Sequence, residues 1–334
     1  MKYLLVNATA AKTGGAQTII ETFLQNIPAN LKTHFIVLTG LAIQIDQDNV
    51  TIIKKETNGL STLFFSVLGI IKFQIKYRSR NVISFNNLNS ILYPSHGVTY
   101  FHQLKALNSD YREKKIRVYR FIITRLLKKN QFILQSGFIK EAFKNAFPDI
   151  QKDPIVCWPG FTKPVSENDL QLLPCFEYLD SNTRLGILPI AYATPHKNIA
   201  ILEPWDFFLE ENNLKLITLM NKDAGLKGNS FLNINTITRN QLYCLYDKVD
   251  FMVFTSKDET VGLPIFEFLE LGKPVFVYHA IYSLYYQEYF DYPKNLFLFK
   301  TVEELSELVQ KHIDLRVSKR DYSTGEWNKI LDLI

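Results

Sequence analysis

Glu259 and Glu267 stand eight positions apart in Asp258-Glu259-Thr260-Val261-Gly262-Leu263-Pro264-Ile265-Phe266-Glu267. A carboxylate offers two acceptor oxygens and so can hold vicinal hydroxyls. Pro264 suits the first turn of a helix, and Gly262 and Leu263 would leave backbone N–H groups at its start. Glu259 then falls in the loop before the helix and Glu267 about one turn into it, so each can address a different part of one ligand. Taken alone, the pair is also what a charged loop and a surface helix would carry. Pro195-His196-Lys197-Asn198 places a mobile cation at another helix start, where an anion is favoured, although four residues of this kind also make an ordinary capping turn. Thr13-Gly14-Gly15-Ala16-Gln17 lets the backbone turn tightly and approach a phosphate, or simply closes a βα turn. It is not a Gly-x-Gly-x-x-Gly loop followed by an acidic strand end, which disfavours a nicotinamide cofactor. His102 closes the β-rich run Val98–Phe101.

The elements that must position these residues alternate along the chain. Short β-rich runs are expected at 3–6, 34–38, 51–54, 82–85, 98–101 and 132–134, with helices near 15–27, 62–78, 110–129 and 137–146. The second half repeats the style, with strands at 184–190, 214–219, 250–254 and 274–278 and helices near 198–211, 238–248, 263–271 and 301–313. Strands separated by helices imply βαβ units and parallel sheets. Trp158-Pro159-Gly160 and the polar stretch to Asn182 read as a linker. The pattern predicts two doubly wound domains whose ligands bind at the carboxyl ends of strands, with a cleft between the domains as the natural site.

In this order the segments resemble retaining glycosyltransferase family 4. "DETVGLPIFEFLELGKPVFVY" resembles that family's E-x7-E signature, "TGGAQTIIETFL" its glycine-rich loop and helix, "YATPHKN" its Pro-x-Lys-Asn segment, and "YFHQ" its strand ending in histidine. Trp158-Pro159-Gly160 takes the place of the interdomain turn, and "STGEWNKILDLI" looks like the terminal helix that crosses back.

The resemblance implies a GT-B fold of two Rossmann-like domains facing across a cleft: an acceptor-side domain at 1–158, a linker at 159–182, a nucleotide-sugar domain at 183–316, and a returning helix at 317–334. It further implies that Glu267 binds the nucleotide ribose, that Glu259 contacts the donor sugar, and that His102 lies near the reacting sugar. Lys197 would neutralise the departing diphosphate, aided by backbone N–H groups at Gly14, Gly15, Gly262 and Leu263, with no metal or cofactor. The chain departs from the family pattern at three places. Ala191 stands where the family has an arginine, with Lys257 or Lys12 as replacements; Val261 stands where an aromatic residue is common; "NINTITRN" lacks the usual glycine before the helix near 238.

Composition narrows the classes further. The 334 residues carry a net charge of +5, and 47% are hydrophobic. That is enough apolar material for a large core, and global disorder is excluded. Residues 1–158 hold 21 Lys and Arg against 9 Asp and Glu, whereas 159–334 hold 17 against 24. A basic half therefore precedes an acidic one and is expected to meet something anionic. The apolar run after Lys2 is too short for a secretory signal, and Leu63–Ile71 is about half of the ~20 residues that cross a bilayer. Cys157, Cys175 and Cys244 form no Cys-x-x-Cys pair, which fits a reducing cytoplasmic setting. Asp46-Gln47-Asp48 reads as a loop rather than a metal site, and His34, His96, His279 and His312 read as structural.

Residues 112–129 include eight basic residues and only Glu113 as acid, with apolar residues at helical spacing; 63–80 carries Lys72, Lys76, Arg78 and Arg80 behind an apolar front. Such helices suit an anionic membrane surface, or a solvated face over an ordinary core. No nucleic-acid reading motif is present. The expected function is sugar transfer from a nucleotide-sugar, with retention, to a lipid-linked or surface-polysaccharide acceptor at the inner face of the cytoplasmic membrane. The alternatives are another enzyme on this scaffold, such as a nucleotide-sugar epimerase or a phosphorylase, and a non-catalytic binder of anionic lipid.

Overall fold

The structure is a computed structural model that describes residues 2–12, 14–43, 45–108, 110–163, 178, 183–221, 223, 225–235 and 237–334. Thr13, Cys175 and most of the expected linker (164–177 and 179–182) lie outside the described residues. The chain divides into two compact units, Met1–Thr162 with Thr324–Ile334, and Lys163–Ser323.

The first unit is built on a seven-stranded sheet, all pairs parallel, in the order β3-β2-β1-β4-β5-β6-β7. Its strands are β1 (Lys2–Ala8), β2 (Thr33–Thr39), β3 (Val50–Lys54), β4 (Val82–Ser84), β5 (Gly97–Tyr100), β6 (Gln131–Leu134) and β7 (Ile155–Val156). A parallel sheet is covered on both faces, so its central strands are apolar at consecutive positions. Leu4, Leu5 and Val6 of β1 are all fully buried. The helices are α1 (Gly15–Gln25), α2 (Gly59–Lys76), α3 (Lys114–Phe121) and α4 (Gly137–Ala146). A π turn interrupts α2 at Phe65–Gly69, and another, Ile122–Leu126, extends α3. By length and composition alone α2 meets the requirements of a membrane span; about a third of it is buried here.

The second unit carries a six-stranded parallel sheet in the order β10-β9-β8-β11-β12-β13. These are β8 (Arg184–Leu188), β9 (Leu214–Thr218), β10 (Phe231–Asn233), β11 (Phe251–Phe254), β12 (Val275–Tyr278) and β13 (Leu296–Phe299). Its helices are α5 (Asp206–Glu211), α6 (Arg239–Lys248), α7 (Leu263–Leu269), α8 (Ile281–Tyr289) and α9 (Val302–His312). The stretch before α5, Ile199–Trp205, is a 3-10 helix that contains Pro204. The missing proline N–H is what keeps an α-helix from starting at 198.

The two Rossmann-like α/β units are the architecture expected from the sequence. Of the segment expected to return as a helix, 317–334, only Thr324–Ile334 belongs with the first unit, and only α10 (Asn328–Leu331) is helical. Residues 315–326 form neither helix nor strand, because Ser, Asp, Thr and Gly in Ser318–Gly325 oppose helix.

Candidate functional site

Strand order in the second unit reverses between β8 and β11, which makes that gap the topological switch point where open α/β sheets bind ligands. The loops after these two strands carry the residues singled out above, and the loops are laced together. The Lys257 N–H donates to the His196 carbonyl at 2.7 Å, and the Thr255 hydroxyl donates to the Lys197 carbonyl at 2.7 Å. From behind, the Tyr282 and Tyr286 hydroxyls donate to the carbonyls of Ser256 and Thr260 at 2.9 and 2.8 Å. Fixed backbone on both sides brings Lys197 and Glu259 into a direct ion pair, each side chain largely buried. The sequence reading gave them separate tasks on one ligand; here each is the other's partner.

Glu267 lies on α7 and is 6% exposed. Its carboxylate accepts from the Arg239 guanidinium at 3.4 Å. Burial raises its pKa above the ordinary carboxylate range, and the Arg239 charge pulls it back. Burial, together with the Glu267 charge, also pushes the neighbouring Tyr243 phenol well above its ordinary value. Arg239 escaped the sequence reading. Its one available signal was Thr238-Arg239-Asn240-Gln241, a capping box that the structure confirms as the start of α6.

Gly262 caps α7 with a φ of 70°, a left-handed conformation that glycine adopts at little cost. The N–H groups of Gly262 and Leu263 open this helix, while Pro264 contributes no donor. Of the two cations considered for the place left by Ala191, exposed Lys257 shares the switch-point loop, whereas Lys12 belongs to the first unit and pairs with Glu56 at 2.6 Å.

Gly14, Gly15 and His102 lie in the first unit. Its sheet reverses order between β1 and β4. Gly14 caps α1 with φ 66° and ψ −144°, and a Cβ on either glycine would meet no atom within 4 Å. The loop is therefore open enough for a ligand to approach its backbone. Beneath it, a buried network joins the ends of β1 and β4. The Asn86 side-chain amide donates to Asn7 Oδ1 at 3.0 Å and to the Thr9 hydroxyl at 2.9 Å. His102 follows β5, and its backbone N–H donates to Asn87 Oδ1 at 2.6 Å. Among the described residues no three His, Cys, Asp or Glu side chains gather as a metal-binding group. Burial, with the Glu326 charge beside it, pushes the Cys157 thiol up to about 12, so this cysteine supplies no thiolate near neutral pH.

No protein-family model and no curated protein match the sequence. Solved structures do match in fold. WaaG, described as a glycosyltransferase involved in lipopolysaccharide biosynthesis, aligns over 93% of this chain and 90% of its own at 13% identity, with a TM-score of 0.64. Anabaena HepE, solved in complex with UDP and glucose, aligns over 94% and 90% at 18% identity, with a TM-score of 0.61. A Listeria monocytogenes protein named as a candidate UDP-N-acetylglucosamine 2-epimerase aligns over 99% and 94% at 15% identity, with a TM-score of 0.60. The chain has the GT-B fold. At these identities the likeness is one of fold, and the chemistry must be argued from the residues themselves.

Proposed function

We propose that this GT-B chain is a retaining glycosyltransferase that moves a hexose from a nucleoside-diphosphate sugar to a lipid-linked or surface-polysaccharide acceptor. The observation that carries the reading is the Lys197–Glu259 pair at the switch point of the second unit, with Glu267 one helix turn beyond it. A diphosphate arriving there competes with Glu259 for the Lys197 ammonium. Once Lys197 turns to the diphosphate, Glu259 is free to accept from sugar hydroxyls. Charge builds on the diphosphate as the glycosidic bond breaks, so a fixed cation and the N–H groups of Gly262 and Leu263 favour the transition state over the ground state. Lys257 adds a second cation on the same loop. Glu267, held by Arg239, presents its carboxylate to the ribose. The roles of Gly14 and Gly15 toward the diphosphate, and of His102 toward the reacting sugar, rest on the family resemblance. No metal or cofactor has a part in this scheme.

We place the acceptor side at the inner surface of the cytoplasmic membrane, as a peripheral contact. What supports this is the exposed face of α2, where Leu60, Phe64, Leu68 and Ile75 are 74, 62, 43 and 68% exposed beside exposed Lys72 and Lys76. Val118, Phe121 and Leu126 are exposed on and just after the basic helix α3. Apolar side chains flanked by cations suit the boundary of an anionic bilayer.

The test is a panel of nucleotide-sugars incubated with the purified chain and a lipid-linked acceptor. One donor should release nucleoside diphosphate with retention at the anomeric carbon, and Glu259→Ala should lower the rate roughly 10²-fold or more. Equal rates in the two proteins would reject the site. The Listeria neighbour keeps epimerisation as a second reading, and an epimer formed without acceptor would favour it.

A further inference from the structure

On the first unit, at the amino ends of β1, β4 and β5 and so away from the carboxyl ends that carry Gly14 and His102, lies a cavity of about 580 Å³. It is lined by Lys2, Tyr3, Tyr77, Arg78, Arg80, Asn81 and His96, with no carboxylate among them. Lys2 Nζ donates to the Ile334 carbonyl at 2.5 Å, and the Arg80 guanidinium lies 5.9 Å from the centre of the Tyr93 ring.

Arg78 occupies a position where its residue type is unexpected. The Ser79 N–H bonds the Gln74 carbonyl at 2.9 Å and the Arg78 N–H bonds the Ile75 carbonyl at 3.2 Å, the hydrogen-bond pattern of a Schellman motif closing α2. The residue at the turn of that motif is left-handed, and Arg78 has a φ of 48°. Glycine is the usual occupant because a Cβ there is strained. The next residue anchors this turn, since the Ser79 hydroxyl donates to the Tyr3 carbonyl at 2.8 Å, and Arg78 lines the cavity.

We propose that this cavity is a phosphate-ester site that takes the headgroup of an anionic membrane lipid. Arg78 and Arg80 provide the charge, with no acidic side chain in the lining, and offer planar donor forks that match phosphate oxygens. The lipid source follows from continuity, since the cavity is formed by the end of α2, whose exposed apolar stripe ends at Ile75, three residues before Arg78. Apolar side chains at the acyl boundary and cations at phosphate depth are the two parts of an interfacial contact. The inference rests on the membrane part of the reading above and not on the transfer reaction.

The experiment uses the full chain, vesicles of phosphatidylcholine with and without phosphatidylglycerol, and glycerol 3-phosphate as the soluble probe. Arg78→Gly suits the left-handed turn, so the double variant R78G/R80Q removes two cations without disturbing the cap. It should bind the anionic vesicles more weakly by roughly fivefold per cation removed. In the unsubstituted chain glycerol 3-phosphate should shift the amide resonances of residues 77–81 and 96, and these shifts should vanish in the double variant. Phe64→Ser should weaken vesicle binding while leaving the glycerol 3-phosphate shifts intact. Vesicle binding by R78G/R80Q equal to that of the parent, or no amide shifts with glycerol 3-phosphate, overturns the proposal. Seating of glycerol 3-phosphate without any vesicle binding overturns the headgroup assignment together with the membrane reading, and leaves a site for a soluble phosphate ester.

Discussion

Asn87 fixes the protonation of His102. The Asn87 Oδ1 accepts from the His102 backbone N–H at 2.6 Å, which settles which end of the amide is oxygen. Asn87 Nδ2 must then be the atom that faces His102 Nε2 at 3.3 Å, and it can only donate. Nε2 therefore keeps its lone pair, and the ring proton belongs on Nδ1. Asn87 itself is buried, with a φ of 64° that asparagine tolerates better than most residues.

One edge of the His102 ring faces solvent, yet the protein packed around it disfavours the charged form and lowers its pKa to about 4 from an ordinary 6.5. The Asn87 donor acts in the same direction. The exposed edge moderates the effect, so a histidine titration followed by NMR should place His102 below the ordinary value and no lower than about 4. Asn87→Asp puts an acceptor opposite Nε2, stabilises the imidazolium and should raise that pKa past 6.5. The sign carries to stability. A histidine whose folded pKa is depressed contributes stability that is present above its unfolded pKa and lost as pH falls toward the folded one. The parent should therefore lose stability between pH 6.5 and 4, whereas in N87D the His102 contribution should vanish from that range and be lost instead as pH rises above 6.5. An unchanged His102 titration in N87D would contradict the assignment.

Arg239 and Glu267 support each other unequally. Arg239→Ala leaves the Glu267 carboxylate almost wholly buried without its cation. Because the guanidinium is about a quarter exposed, the cost should be roughly 1–3 kcal/mol rather than the larger figure for a sealed pair. For a unit of this size that is on the order of 3–10 °C in melting temperature. Without Arg239 the Glu267 pKa rises further above its unfolded value. A carboxyl with a raised folded pKa favours folding at low pH and loses that contribution as pH rises through it. The deficit of R239A relative to the parent should accordingly shrink toward pH 4 and be largest near neutrality. Melting curves across that range check it; a pH-independent deficit would mean that the loss is packing alone.

Ten of the thirteen strands among the described residues were legible because parallel strands are buried on both faces and so write continuous apolar runs into the chain. β7, β10 and β13 escaped because Ile155–Val156, Phe231–Asn233 and Leu296–Phe299 are only two, three and four residues long, and α8 because Ile281–Tyr289 is apolar and aromatic without a clear polar face. Lys197, Glu259, Gly262 and Glu267 were legible as candidates because each sits in a loop or in the first two turns of a helix with its own local pattern. Their partners were not. Asn87 lies 15 positions from His102 and Arg239 lies 28 from Glu267, and only the adjacency of β4 with β5, or the packing of α6 on α7, brings them together. The Lys197–Glu259 contact was equally invisible, since it depends on β8 and β11 being neighbours across 62 positions of chain.

Trp327 is the anchor of the returning terminal segment. Its indole packs on Phe23, Phe85 and Tyr100, with ring centroids 5.4, 6.3 and 6.0 Å away, and it is 1% exposed. Two bonds set it there: the Trp158 N–H donates to Glu326 Oε2 at 2.9 Å, and the Glu326 N–H returns to the Trp158 carbonyl at 2.9 Å. Trp327→Ala should cost about 3–5 kcal/mol through the cavity it opens among aromatic neighbours. Trp327→Phe should cost far less, because the indole N–H that it removes has no hydrogen-bond partner among the described residues. Gly325→Ala should also be severe. Its Cβ would fall 2.6 Å from the Pro159 carbonyl and 2.5 Å from the Trp327 indole nitrogen, so the chain could not pass between them. Denaturant unfolding of the three variants should rank W327A and G325A well below W327F. If W327A were as stable as W327F, the segment would be resting on the first unit rather than completing its core.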